Sequence, residues 1–128
     1  MLSEEEVYIG TKKLLKKNHF YILAGQPARG NDHLPVVEIK SGTNYNKGSK
    51  HSYKPDLVAF KNDIFYIIEC KPTFDLGDYN KLVEILSSKI RLKMFFTELN
   101  QRNLLTRVNY KHSFAHFKDN IQGCLAYR

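Results

Sequence analysis

Two short apolar runs constrain this chain most: Leu57-Val58-Ala59-Phe60 and Ile64-Phe65-Tyr66-Ile67-Ile68, separated by Lys61-Asn62-Asp63. β-Branched and aromatic residues favour extended backbone, and Asn and Asp tolerate the positive φ that a two-residue turn demands. The pattern predicts a hairpin turning at Asn62-Asp63. Both runs are apolar nearly throughout, so the hairpin is expected to be central in its sheet with both faces covered. The turn also sets register. Lys61 pairs with Ile64 and Phe60 with Phe65, and carrying this outward places Asp56 opposite Glu69. Directly opposed residues have Cβ atoms about 4.5–5.5 Å apart. Two carboxylates that close repel unless a cation lies between them. A hard divalent ion such as Mg²⁺, held by one or two carboxylates and several waters, meets that need. Glu69 and Lys71 are two apart and are expected on one face, with Lys71 beside the ion, where it would orient or deprotonate a water or stabilise developing charge. Cys70 is expected to point to the opposite face.

The flanking segments read as helices and a long loop. Ser3 followed by Glu4, Glu5 and Glu6 is an N-cap signal, with Glu6 the capping-box partner of a helix over residues 3–17. Val7, Tyr8, Leu14 and Leu15 fall on one face of it, and Lys12, Lys13, Lys16 and Lys17 form a solvated face. At about 100° per residue with Val7 at zero, the apolar residues centre near about 40° and Glu4 lies at about 60°. Glu4 is therefore on the inward face, whereas Glu5 and Glu6 are not. Phe20–Leu23 predicts the first strand. Residues 24–54 are rich in Gly, Asn and Lys and read as a long basic loop, with Leu34–Ile39 a strand inside it that Pro35 limits. Lys40, Lys47, Lys50, His51 and Lys54 in this loop suit phosphate contact. Asp75–Asn100 has helical spacing with a break near Ser87-Ser88, and Gly123–Tyr127 predicts a last strand.

Pro55-Asp56, then Glu69-Cys70-Lys71 at the far end of the hairpin, resembles the PD-(D/E)XK nuclease superfamily, which includes type II restriction endonucleases and Holliday-junction resolvases. The order of elements is similar too: a helix, a strand, the acid-bearing hairpin, a helix. The resemblance covers roughly residues 4–100. It implies an α/β fold with a restriction-endonuclease-like core, a mixed central β-sheet flanked by helices. It also implies Mg²⁺, with Mn²⁺ able to substitute, held by Asp56, Glu69 and the backbone carbonyl of Cys70. Lys71 would be the catalytic lysine, and Glu4 the acid that family members often add from the first helix. Gln26 and Glu38 are further candidate site groups.

Charge agrees with a polyanionic partner. Twenty Lys and Arg against thirteen Asp and Glu give a net charge of +7 and a pI near 9.4, which favours nucleic acid. The expected function is a Mg²⁺-dependent DNA endonuclease acting as a homodimer, since cutting both strands with one site per chain needs two chains. The alternatives are a structure-selective resolvase for four-way junctions and a non-catalytic DNA-binding module. The 128 residues are expected to form one domain. No apolar run is long enough for a membrane span, and the acidic, polar start is not that of a signal peptide. A cytoplasmic location, with Cys70 and Cys124 reduced, is therefore expected. His112 and His116 have the spacing of a ligand pair, but nothing nearby completes a zinc set. Tyr21, Tyr45, Tyr53 and Tyr110 lie among basic residues and are candidates for stacking on bases.

Overall fold

The computed structural model describes residues 2–27, 32–40 and 52–127. In chain order they form α1 (Glu4–Lys17), β1 (Tyr21–Gly25), β2 (Leu57–Lys61), β3 (Ile64–Cys70), α2 (Leu76–Leu86), α3 (Lys89–Gln101), α4 (Leu104–Arg107), α5 (Phe114–Asp119) and β4 (Ile121–Ala126). The fold is mixed α/β. Its sheet has the order β1-β2-β3-β4, antiparallel between β1 and β2 and between β2 and β3, and parallel between β3 and β4. The helices α2–α5 form the crossover that a parallel pairing requires.

The hairpin turns as its sequence predicts. Asn62 and Asp63 have φ of 53° and 64°, and Lys61 pairs with Ile64 through to Leu57 with Ile68. Both of its strands are internal to the sheet. On one face Val7 and Tyr8 of α1 pack with Ile22, Leu57, Ala59, Ile68 and Cys70. On the other face Phe65 and Ile67 pack with Leu82, Ile85, Phe95, Leu99 and Phe117. Phe65 is fully buried, and its ring lies 4.7 Å from that of Phe60, 5.0 Å from Tyr110 and 5.2 Å from Phe117. Phe65→Ala is expected to cost about 3–5 kcal/mol, read as a lowered denaturation midpoint at unchanged slope.

The Ser3–Glu6 capping box is present. Ser3 Oγ accepts from the Glu6 N–H at 3.1 Å and the Ser3 N–H donates to Glu6 Oε1 at 2.7 Å. The predicted break at Ser87-Ser88 divides α2 from α3, with Ser88 Oγ accepting from the Arg91 N–H. Three expectations are corrected. Leu14 is 61% exposed: Val7, Tyr8 and the partly buried Leu15 form the face of α1 that packs on the sheet, and Leu14 lies off that face. Leu34–Ile39 is not a strand. Its Pro35 has no N–H, and among the described residues the segment's backbone pairing amounts to a bond from the Gly25 N–H to the Pro35 carbonyl at 3.0 Å and one bridge, in which Ile39 and Tyr53 exchange N–H···O bonds of 2.7 and 2.9 Å. The loop expected over 24–54 begins only after Gly25, since Ala24 and Gly25 belong to β1. Lys47, Lys50, His51 and Tyr45 lie outside the described residues. No described helix is long and apolar enough to cross a membrane, and both cysteines are free thiols.

Candidate active site

The acids sit where the hairpin ladder stops. Backbone pairing ends at Leu57 and Ile68, so the next pair, Asp56 and Glu69, is not joined by ladder hydrogen bonds. Side chains replace them. The Asp56 N–H donates to Glu69 Oε2 at 3.1 Å, and the Cys70 N–H donates to Asp56 Oδ2 at 2.8 Å. The expected juxtaposition of Asp56 and Glu69 thus holds, but through these reciprocal bonds. They engage a single oxygen of each carboxylate. The Tyr53 hydroxyl also donates to Glu69 Oε2, at 2.5 Å. The end of β1 is tied in as well, with the Gln26 N–H donating to the Asp56 carbonyl at 2.8 Å.

Helices close the site from both sides. Glu6 is held by the capping box, and Glu4, the acid that periodicity placed inward, reaches Lys71. Lys71 Nζ lies 3.1 Å from Glu4 Oε2 and 3.9 Å from Oδ2 of Asp78, at the start of α2. Lys71 follows the last residue of β3 and stands between α1 and α2. Glu69 lies on the α2 side of the sheet with Phe65 and Ile67, and Cys70 lies on the α1 side as expected. Glu4, Tyr8, Gln26, Asp56 and Cys70 line a cavity of about 20 Å³, room for one water or one small ion. Glu69 does not line it. The backbone N–H of Glu38 donates to Glu98 of α3 at 3.1 Å, and no described contact joins Glu38 to the acid cluster.

The electrostatics are those of negative charge held out of water. Burial pushes the Asp56 carboxyl up to about 6, with Glu4 adding repulsion and the Cys70 N–H opposing. Burial and the charge of Asp56 push Glu69 up to about 7, against the bond from Tyr53. Burial also raises Asp78. The bond to Glu4 raises Lys71, so its ammonium is kept charged. Burial lifts the Cys70 thiol to about 12, which removes it as a thiolate nucleophile.

Asp78 was not singled out by sequence, and Tyr53 was singled out only as a candidate for stacking on bases. Asp78 sits three residues after the N-cap Asp75, in the first helical turn after Glu69-Cys70-Lys71, and that position was its only signal. Nothing in the sequence signalled the contact of Tyr53 with Glu69: the ring is buried there rather than free to stack on a base, and Tyr110 is buried too. His112 precedes α5, so it does not share a helix face with His116, and the two rings stack at 3.9 Å. Among the described residues no group of three or more His, Cys, Asp and Glu side chains is arranged around a common metal position. Comparison of the chain with protein-family models, with curated proteins and with solved structures finds no match.

Proposed function

We propose that this chain is a Mg²⁺-dependent DNA endonuclease with a restriction-endonuclease-like core. The observation that carries the reading is the convergence of Glu4, Asp56, Glu69 and Lys71, from three separate elements, on one end of the central hairpin. The donor set suits Mg²⁺: the hard carboxylate oxygens of Glu4 and Asp56 line a cavity of ionic size, and Glu69 is bonded to the Asp56 backbone next to it. Asp56 and Glu69 would hold the ion, joined by the Cys70 carbonyl, and water and phosphate oxygens would fill the remaining positions. Bound there, Mg²⁺ supplies an acidified water and neutralises charge on the scissile phosphate.

The chain's own residues do the rest. Asp56 and Glu69 are fixed by backbone N–H donors and by Tyr53, so their orientation is set before substrate arrives. Lys71 is a charged ammonium paired with Glu4. In that state it donates and does not accept a proton. Its role is to orient the attacking water and to stabilise the extra negative charge on the phosphate, not to deprotonate the water. The chain's positive charge would hold the DNA backbone, with binding that weakens as salt rises. A homodimer would bring two such sites to the two strands.

The test is incubation with supercoiled plasmid in Mg²⁺ and in EDTA. Nicked or linear product in Mg²⁺ alone is expected, and Lys71→Ala should cut about 100-fold more slowly while binding DNA normally. Cleavage in EDTA at the same rate would refute the reading. Cleavage of a synthetic four-way junction but not of plasmid would replace it with the resolvase.

A further inference from the structure

Asp78 is an acid whose position local structure does not explain. It occupies the third position of α2, after the N-cap Asp75, whose carboxylate accepts from the Asp78 N–H at 3.1 Å. In α1 the equivalent residue, Glu6, turns back and closes a capping box on Ser3. No such return bond exists in α2. The Asp78 side chain is instead turned inward, the residue is only 8% exposed, and its Oδ2 accepts no hydrogen bond. A buried acceptor without a donor is costly and rare unless a partner arrives in another state. Among the described residues the nearest cation is the Lys71 ammonium, 3.9 Å away, close enough for attraction but too long for a hydrogen bond.

Lys71 is thus bracketed by two carboxylates from opposite sides of the sheet, and bonded to only one. Glu4 holds it at 3.1 Å. Glu4 also lines the small cavity with Asp56, so a cation in that cavity draws the Glu4 carboxylate toward itself and away from the lysine. The geometry points to Asp78 as the second anchor of Lys71, a positioning residue that takes over the ammonium when Glu4 turns to the cavity. This rests on the nuclease reading for its purpose, although the clamp itself is a property of the fold. The movement needed is about 1 Å, from a 3.9 Å contact to a charge-assisted hydrogen bond of roughly 2.8 Å. Asp78 Oδ2 is already desolvated and within 3.9 Å of the ammonium, so the lysine keeps its place at the site through the exchange.

The experiment has two arms. In the metal-free protein, NMR relaxation of the Lys71 ammonium reports how firmly the side chain is held. Glu4→Gln is expected to leave it ordered, and Glu4→Gln with Asp78→Asn to release it to the mobility of an exposed lysine. Loss of order in Glu4→Gln alone, or retained order in the double variant, overturns the proposal. In the second arm, single-turnover cleavage by Asp78→Asn should fall about 10- to 100-fold with substrate affinity unchanged, and Asp78→Glu should recover most of it. Equal loss in Asp78→Glu and Asp78→Asn at retained thermal stability overturns the positioning role. A wild-type protein that never cuts DNA but shows the expected order changes removes the nuclease reading and leaves the clamp standing.

Discussion

Glu69→Gln and Asp56→Asn are each expected to abolish Mg²⁺-dependent cleavage while leaving the chain folded and able to bind DNA. Both substitutions keep shape and acceptor capacity. Asn at position 56 still accepts from the Cys70 N–H, and Gln at position 69 still accepts from Tyr53 and from the Asp56 N–H. Each removes one negative charge from the acid cluster proposed to hold the ion. Losing a charged ligand is worth several kcal/mol of transition-state stabilisation, so a fall of about 1000-fold or more is expected (about 4 kcal/mol). The same variants should melt higher than wild type above neutral pH in EDTA, because repulsion between buried carboxylates is relieved. Activity at the wild-type rate in either variant would show that these acids are structural. Plasmid cleavage, gel-shift binding and thermal melts on the same preparations separate the three effects.

Without divalent ions, the protein is expected to lose stability as pH rises from about 5 to about 8. The sign follows from the direction of the shifts. Asp56 and Glu69 are raised in the folded chain, to about 6 and about 7, so between the ordinary carboxylate range and those values the folded state binds more protons than the unfolded state. Stability then falls with pH, being full below about pH 4 and lost as pH passes through 6 and 7. Opposed contributions come from Asp32 and Glu6, which are lowered by their hydrogen bonds, but they act only at more acidic pH. The expected result is a melting temperature roughly 5–10 °C lower at pH 8 than at pH 5 in EDTA. Millimolar Mg²⁺ should recover much of the difference at pH 8 and little at pH 5, since binding to the folded state adds stability only where the carboxylates are ionised. A melting temperature that is flat across this range, or the same Mg²⁺ effect at both ends, would contradict a coupled acid pair.

Tyr53 bears on both results. It is buried, and its hydroxyl shares Glu69 Oε2 with a backbone N–H. Among the described residues its segment is paired through the bridge to Ile39, so the order of that segment and the orientation of Glu69 are linked.

What the sequence determined on its own lies at short range. The turn at Asn62-Asp63, the register it imposes, the capping box at Ser3 and Glu6, and the inward placing of Glu4 all follow from φ preference, side-chain periodicity and caps, which act within a few residues. The acids' place at the ends of the hairpin follows from the same register. Tertiary structure decided the rest. It let the ladder stop at Leu57 and Ile68, so that Asp56 and Glu69 bond to each other's strand through side chains. It brought Tyr53 under Glu69, turned Asp78 of α2 toward Lys71, set β4 parallel to β3 across four helices, and left Leu14 in solvent. These outcomes depend on packing between segments far apart in the chain. Buried area and desolvation choose among such packings, and neither is a property of any local window of residues.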